Sequence, residues 1–492
     1  MDIQLILQLL IVVLALYFGT RYGSLAIGAI SGVALAILVF GFHLKAGSPP
    51  TDVIYIILAA VTCAGLLHAS GGMDWLIQIA ERILRKHPER VTILAPFLTF
   101  LLTVMVGTGH VMYTLMPIIC DVSLKKGIRP ERPCAVASIA SQVGITCSPI
   151  AAAVVAFSAI SALYGYRITN IQLVMLNIPA CILGLLAAVA YSWKRGLDLD
   201  KDPKFQALIK DPEKYNEIYG NNATTLDKKI APESKRAVYI FLAAIAVIIA
   251  VSISSMTGVN VLPSYDKVQP VSNGAPSVTL IDGTEITAQQ LTKGEVSVEN
   301  VTEIVKKPLA MNIFIQIVMV SAAALMIIFC KVDPKKAVNS VVWQNGMVAV
   351  FTIYGIAWMS DTFIMNHLDQ IRGMLENFVS AYPWAIAIVF ALASILIASQ
   401  GGVVVSILPL AYTLHIEPWV LIGAMPCLYA YFFLPTYPTD LATVNFDRSG
   451  TTHIGKYLLN HSFMLPGLIH TFVATASGLG LSYIFHFYLG VY

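Results

Sequence analysis

The sequence predicts an all-α protein that crosses a lipid bilayer many times. Apolar residues make up 57% of the 492 residues, charged residues only 12%, and the mean hydropathy is +0.74. An average soluble domain carries about 25% charged residues, because its surface must be solvated. The composition therefore excludes a soluble enzyme, a nucleic-acid-binding protein and a disordered scaffold. A net charge of +3 is too small to indicate a polyanionic partner.

Ten apolar segments have about the length that a membrane span requires. A bilayer core about 30 Å thick is crossed by about 20 apolar residues in a helix. The segments are Ile3–Phe18, Gly23–Leu44, Val53–Ala69, Ala135–Tyr164, Ile171–Ser192, Ala237–Ser255, Leu309–Cys330, Val342–Met359, Trp419–Val444 and Leu465–Leu489.

Two further apolar stretches predict re-entrant hairpins at residues 91–120 and 383–414. The first is interrupted by VGTGHV at 106–111 and the second by SQGGV at 399–403. The arm after each interruption is about a dozen residues long, which is too short to cross the bilayer. Glycine at the interruption permits the backbone to reverse.

Basic residues predict the sides of the membrane. Eight of them flank the first hairpin: Arg82, Arg85, Lys86, Arg90, Lys125, Lys126, Arg129 and Arg132. Cytoplasmic loops are enriched in Lys and Arg, so this hairpin opens towards the inside. The second hairpin has no such excess and is expected to open outwards, and both termini then lie on the outer face.

The resulting order predicts two halves with opposite orientation. Residues 1–193 form three spans, a hairpin, a broken helix at 133–164 and a final span. Residues 237–492 repeat this order in the opposite direction, with a broken helix at 417–446. Such an inverted repeat, with about five transmembrane helices and one re-entrant hairpin in each half, is typical of secondary transporters.

Two polar segments interrupt this pattern. Residues 194–236 form a mixed-charge cytoplasmic connector, and residues 256–308 form an insert on the outer face. Apolar and polar residues alternate on both sides of Asp282-Gly283, which predicts a β-hairpin. The default interpretation of both segments is a spacer without chemistry.

The candidate binding site lies at four polar interruptions, because irregular backbone inside a bilayer is tolerated only where it is buried in protein or lines a cavity. The candidates are Gly107, Thr108, Gly109, His110, Ser141, Gln142, Thr146, Ser148, Pro149, Ser399, Gln400, Gly401, Thr436, Tyr437, Pro438 and Thr439. Helix N-termini and neutral donors favour a small anionic solute. Each hydroxyl taken alone is equally compatible with bonding to its own helix.

Three ionisable residues are candidates for ion or proton coupling: His110, Asp361 and Asp440. Such groups are costly at membrane depth. The alternatives are a neutral, backbone-bonded His110, an interfacial capping role for Asp361 and a structural role for Asp440. The seven cysteines have no metal-ligand spacing, so we expect no metal site.

Four strings resemble the anaerobic C4-dicarboxylate transporter family Dcu, in its DcuA/DcuB branch. They are GTGHVMYTLMPII (107–119), IRPERP (128–133), ASQVGITCSPIAAAV (140–154) and LPTYPTDLATVNFDRSGTTHIGKYLLNHSF (434–463), and AWMSDTF (357–363) adds to them. The resemblance implies a transporter, not an enzyme, that exchanges fumarate, malate, aspartate and succinate across a bacterial inner membrane. The insert at 256–308 and both termini are then periplasmic.

The resemblance also implies a homodimer in which a transport domain moves against a scaffold, as in elevator-type transporters. No cofactor is expected, although co-transport of Na⁺ or H⁺ is compatible with the sequence. Three other functions are alternatives: a proton- or sodium-coupled symporter of another small carboxylate, a channel, and a membrane-embedded enzyme, for which the sequence shows no HExxH or nucleophile–base motif. Whether a sensor kinase is a partner is not decided by these residues.

Overall fold

The computed structural model describes residues 3–22, 24–49, 51–166, 168–220, 223–256, 261–270, 277–279, 285–287, 302–367, 370, 382–435, 437–455, 460–488 and 490. The first half contains α1 (Ile3–Tyr22), α2 (Ser24–Ala36, continued by a π-helical turn to Gly41), α3 (Thr51–Ala69), α4 (Gly72–Lys86), α5 (Val91–Val106), α6 (Met112–Lys126), α7 (Glu131–Thr146), α8 (Ala152–Leu163) and α9 (Asn170–Ser192).

The connector carries two short helices, α10 (Pro203–Leu208) and α11 (Pro212–Tyr219). The second half contains α12 (Pro232–Met256), α13 (Met311–Cys330), α14 (Pro334–Val338), α15 (Val341–Asn366), α16 (Ile386–Ile397), α17 (Gln400–Thr413), α18 (Pro418–Gly423), α19 (Pro438–Phe446) and α20 (Met464–Phe487). A 3₁₀ helix at Met425–Phe433 follows α18.

The described helices confirm a polytopic membrane protein. Six helical segments are long and apolar enough to cross a bilayer, or eight if each of two bent pairs counts as one crossing. The bent pairs are α3 with α4, at 69°, and the segment 418–433 with α19, at 57°. Helix α12 begins at Pro232, so the connector is shorter than the predicted 194–236.

Helix α4 is absent from the sequence prediction. Its apolar residues lie on one face, where Leu76, Ala80 and Leu84 are buried, and its other face is charged. A hydropathy window averages the two faces and therefore misses the helix. Gly71, with φ at +77°, forms the turn between α3 and α4 and adopts the left-handed conformation that glycine tolerates.

Helices of the two halves pack against each other. Helix α2 contacts α15, α3 contacts α13, and α9 contacts α20. The order of elements recurs as well: each half has a helical hairpin (α5–α6 and α16–α17), then an interrupted helix (α7–α8 and α18–α19), then a long helix (α9 and α20).

In the described part of the insert at 256–308, four strands are present. Strand β1 (Ser264–Pro270) pairs antiparallel with β4 (Thr302–Pro308). Strand β2 (Ser277–Thr279) pairs antiparallel with β3 (Glu285–Thr287), with Val278 opposite Ile286. This register confirms the predicted hairpin, whose turn at 280–284 lies outside the described residues.

The connector forms hydrogen bonds and an ion pair with the helices. Arg132 at the start of α7 donates hydrogen bonds to the carbonyls of Arg195 and Gly196 and to the carboxylate of Asp198. Arg129 forms an ion pair of 2.8 Å with Asp202. Burial raises the pKa of Asp202, but backbone N–H bonds from Phe205 and Lys204 and the charge of Arg129 lower it below its ordinary value.

Glu81 of α4 holds the other end of the connector. Its carboxylate is fully buried and accepts hydrogen bonds from the Thr224 hydroxyl (2.7 Å), the Thr225 hydroxyl (2.6 Å) and the Thr225 backbone N–H (2.8 Å). Arg85 Nε donates to the same carboxylate at 2.7 Å. The connector is therefore a folded part of the protein that packs against α4 and α7.

Replacing Glu81 with Ala is expected to lower the free energy of unfolding by about 2 kcal/mol, because several buried donors lose their common acceptor. The connector should also become more sensitive to trypsin. Thermal denaturation in detergent and limited proteolysis measure both effects. Glu217→Ala is the control, because Glu217 pairs with Lys214 on the exposed surface of α11. Equal protease resistance of E81A and E217A would contradict the docking role.

Candidate functional site at the four interruptions

Both hairpin tips have the same backbone conformation at two consecutive residues, a left-handed residue followed by an extended one. Gly107 ends α5 with φ at +78°, and Ala398 ends α16 with φ at +50°. The next residue in each case, Thr108 or Ser399, is extended and caps the following helix: the Thr108 hydroxyl accepts from His110 N–H at 3.4 Å and the Ser399 hydroxyl from Gly402 N–H at 3.2 Å. Each capping hydroxyl accepts a hydrogen bond from a backbone N–H group that the start of a helix leaves without a partner.

The second tip differs in position from the sequence prediction. The reversal occurs at Ala398-Ser399, whereas Gly401 and Gly402 lie in the first turn of α17. Their role is close approach: a Cβ on Gly401 would lie 3.2 Å from Ile353 Cδ1 and 3.8 Å from the start of α8 at Ala152. The second hairpin tip therefore reaches the interruption of the first half.

The interruption of the first broken helix lies at 147–151, between α7 and α8. Ser141 and Gln142, expected in the interruption, instead occupy the last turns of α7. Thr146 ends that helix, and its hydroxyl donates to the Val143 carbonyl at 3.0 Å, which is the alternative foreseen for isolated hydroxyls. Pro149 lies in the unwound segment, and its carbonyl accepts from Asn170 at 2.9 Å.

Gln142 joins three of the four interruptions by hydrogen bonds. Its side-chain Nε2 lies 3.3 Å from Thr439 Oγ1 at the start of α19, and its Oε1 accepts from the Tyr431 hydroxyl at 2.8 Å. Its backbone carbonyl accepts from Gln400 Nε2 of the second hairpin tip at 2.8 Å. Gln400 Nε2 also lies 3.3 Å from the Tyr431 hydroxyl.

The first hairpin tip packs against the same residue. A Cβ on Gly109 would lie 2.5 Å from Gln142 Nε2 and 2.7 Å from the Ser141 carbonyl. Gly107 approaches the interruption between α7 and α8, where an added Cβ would be 3.4 Å from Ser148 Oγ. We call the set Gly109, Gln142, Gln400, Tyr431 and Thr439 the glutamine junction.

Asp440 lies beside the glutamine junction and is completely buried. Its Oδ1 accepts a hydrogen bond from the Ser138 hydroxyl at 2.7 Å. Its Oδ2 has no partner within the described part of the chain. Apart from this carboxylate, the side chains that form these hydrogen bonds are neutral.

Further polar atoms near the junction are buried without a partner among the described residues. They are Ser148 Oγ, His110 Nδ1, Gln400 Oε1 and the Tyr429 hydroxyl. A buried polar group that lacks a hydrogen bond costs about 1–3 kcal/mol. These unpaired atoms are therefore energetically unfavourable unless a group outside the described protein bonds to them.

Tyr437, Pro438 and Asp361 are not members of the glutamine junction. Tyr437 and Pro438 lie at its rim, where Tyr437 is half-buried and Pro438 is exposed, and Thr436 falls outside the described residues. Asp361 binds the loop after α2: its Oδ2 accepts from the Ser48 backbone N–H at 2.8 Å. The sequence analysis foresaw this capping arrangement as the alternative to ion coupling.

Tyr431, Tyr429 and Ser138 are site residues that the sequence analysis missed. Tyr429 and Tyr431 belong to the apolar run CLYAYFF, which the sequence analysis placed in the broken helix at 417–446 but before its polar interruption. The available signal was the pair of phenol groups two residues apart in that run. Buried tyrosine hydroxyls require hydrogen-bond partners, and the Tyr431 hydroxyl finds one in Gln142.

Comparison with known proteins assigns this arrangement to a family. A family model described as an anaerobic C4-dicarboxylate membrane transporter matches residues 4–486. The chain belongs to this family. Membership of the C4-dicarboxylate transporter family confirms the resemblance seen in the sequence and the prediction of a transporter rather than an enzyme.

Individual relatives align over nearly their whole length. A protein named anaerobic C4-dicarboxylate transporter DcuB, from Escherichia coli O6:H1, is 41% identical over 96% of this chain and 97% of its own. C4-dicarboxylate transporters named DcuA, from Wolinella succinogenes and Escherichia coli K12, are 32% and 31% identical. They cover 96% and 99% of this chain and 98% and 99% of their own.

Among solved structures, Neisseria gonorrhoeae MtrF aligns with a TM-score of 0.48 at 12% identity. That structure is described as illuminating a class of antimetabolite efflux pumps. The alignment covers 87% of this chain and 80% of that chain.

Replacing Gly109 with Ala is expected to reduce transport by at least tenfold, because the added methyl group would overlap the Gln142 amide. Initial rates of substrate uptake in vesicles, normalised to the amount of folded protein, measure the effect. Gly32→Ala on α2 is the matched control, since its Cβ would meet no atom within 4 Å. Equal uptake by G109A and G32A would show that the contact between tip and junction is not required.

Proposed function

We propose that this chain is a secondary transporter that exchanges C4-dicarboxylates, among them fumarate, malate, aspartate and succinate, across a bacterial inner membrane. Family membership and the names of the relatives support the substrate class. The glutamine junction supports the proposed location of the substrate site, because elements of both hairpins and both interrupted helices meet there.

The substrate carboxylates bind beside the glutamine junction. The starts of α8 and α17, and of the 3₁₀ turn at Gly109–Val111 that leads into α6, each carry about half a positive charge. The Ser148 hydroxyl and the ring of His110 supply buried donors that have no described protein partner. The side chains of Thr108 and Tyr437 at the rim, which are half-buried, complete the contact with the aqueous side.

The proposed mechanism is alternating access by an elevator-type movement. The recurrence of hairpin, interrupted helix and long helix in the two halves supports an inverted repeat, as does the shared construction of the two tips. The two hairpins and the two interrupted helices then form the transport domain. The remaining long helices form the scaffold and the interface of a homodimer.

The orientation follows from the basic residues. Arg129, Arg132 and Arg195 lie with the connector, so the connector is cytoplasmic. An odd number of crossings in the first half then places the N-terminus in the periplasm. The second half mirrors the first and returns the C-terminus to the periplasm.

Charge balance favours coupling to a cation. A dicarboxylate brought beside Asp440 places three negative charges in a region whose other hydrogen-bonding side chains are neutral. Helix dipoles offset only part of this charge. Protonation of Asp440, with His110 as proton relay, or a bound Na⁺ supplies the rest. A coupled symporter is therefore the second candidate function, and this balance is the observation that favours it.

Preloaded proteoliposomes separate the two candidates. Uptake of labelled fumarate into vesicles that contain succinate should exceed uptake into empty vesicles by at least tenfold, because an exchanger returns only with substrate bound. The control is the same comparison in protein-free vesicles. Equal uptake in loaded and empty vesicles, together with stimulation by an imposed H⁺ or Na⁺ gradient, would indicate symport.

Ser148→Ala is expected to raise the KM for fumarate about tenfold without lowering the melting temperature. A hydrogen bond to a charged group contributes about 1.5–3 kcal/mol, and this hydroxyl has no described protein partner to lose. Ser123→Ala is the matched control, because the buried Ser123 hydroxyl donates to its own helix at Ile119. An unchanged KM in S148A would remove Ser148 from the site.

A further inference from the structure

The starts of α6 and α19 lie beside each other but differ in charge. Gly109, in the turn before α6, and Thr439, the second residue of α19, both approach Gln142 Nε2: a Cβ on Gly109 would lie 2.5 Å from this atom, and Thr439 Oγ1 lies 3.3 Å from it. The first turn of α6 contains no acidic residue, whereas Asp440 is the third residue of α19. A carboxylate in the first turn of a helix outweighs the half positive charge of the helix start. The start of α6 therefore attracts an anion, and the start of α19 does not.

Asp440 also has a free acceptor, unlike another buried aspartate of the chain. Asp447 is 4% exposed, and its two oxygens accept hydrogen bonds from Ser449, Thr451 and Thr452. Asp440 is 0% exposed, yet only its Oδ1 is bonded, to Ser138. Its Oδ2 lacks a described partner, so this oxygen is available to a donor that is not part of the described protein.

The neighbouring residues place a donor on the α6 side. His110 precedes α6, stacks on Tyr113 with ring centroids 5.8 Å apart, and has a buried Nδ1 without a described partner. The start of α6 therefore attracts an anion and has a histidine beside it. The neighbouring start of α19 has a carboxylate oxygen without a described partner.

We propose that this pair of helix ends recognises the substituted end of a C4-dicarboxylate. The C1 carboxylate binds at the start of α6 beside His110, and a donor on C2, an ammonium or a hydroxyl group, binds Asp440 Oδ2. In aspartate and malate these two groups are attached to adjacent carbons. The inference rests on the proposed function and makes Asp440 the residue that distinguishes aspartate and malate from succinate and fumarate.

The assignment also connects selectivity with charge balance. The ammonium group of aspartate brings a positive charge to Asp440. It therefore replaces the proton or Na⁺ that balances the Asp440 charge when the substrate, such as succinate, has no such group. Removal of the Asp440 charge should therefore weaken aspartate binding and leave succinate binding unchanged or stronger.

The test is competition in proteoliposomes. Unlabelled aspartate, malate and succinate compete with labelled fumarate, and the ratio of the inhibitory concentrations of succinate and aspartate is compared between wild type and Asp440→Asn. We expect the ratio to fall by about tenfold or more, the effect of one hydrogen bond to a charged group. Asp361→Asn, which alters a carboxylate bonded to a loop, should leave the ratio unchanged.

An unchanged ratio in D440N would overturn the inference. So would an equal weakening of all three competitors together with loss of pH or Na⁺ dependence, because Asp440 would then serve coupling alone. Asp440→Ser replaces D440N where that variant is not recovered folded.

If wild type takes up no fumarate, the proposed function fails. Thermal stabilisation of the detergent-solubilised protein by aspartate, compared between wild type and D440N, then still tests the contact.

Discussion

The structure depends on the rule that backbone and side-chain polar groups inside a bilayer must find partners within the protein. Four interruptions of helical structure would each expose such groups if they lay apart. Gln142, at the end of α7, hydrogen-bonds through its amide to the second interrupted helix and through its backbone carbonyl to the second hairpin tip, and Gly109 brings the first hairpin tip into contact with it. One buried glutamine therefore connects all four interruptions and satisfies polar groups that the irregular backbone and its neighbours present.

The two tips show how such backbone is made from unlike residues. Gly107 adopts the left-handed conformation at little cost, whereas Ala398 does so at about 1 kcal/mol. A cap by Thr108 or Ser399 follows in both cases. The same geometry in both halves indicates that the reversal itself, rather than the presence of glycine, is the common requirement.

Hydropathy predicted the helical hairpins, the interrupted helices and the long helices, because burial in lipid demands continuous apolar sequence. It missed α4, whose apolar residues lie on one face, and misplaced the second tip, because glycine was taken as the mark of a reversal. Glycines 401 and 402 serve close packing instead. Tyr431 was missed because the length of an apolar run carries no information about hydrogen-bond partners. The hairpin around residue 282 was predictable, since strand alternation is a local pattern.

The pairing of α2 with α15 and of α3 with α13 has a consequence for biosynthesis. When the ribosome has delivered only the first 200 residues, the faces of α2 and α3 that will meet these partners are still covered by lipid. They find their partners only after more than 100 further residues have been translated and inserted. Assembly of this protein is therefore completed late, and a chain truncated after α9 would lack the partners that close its first half.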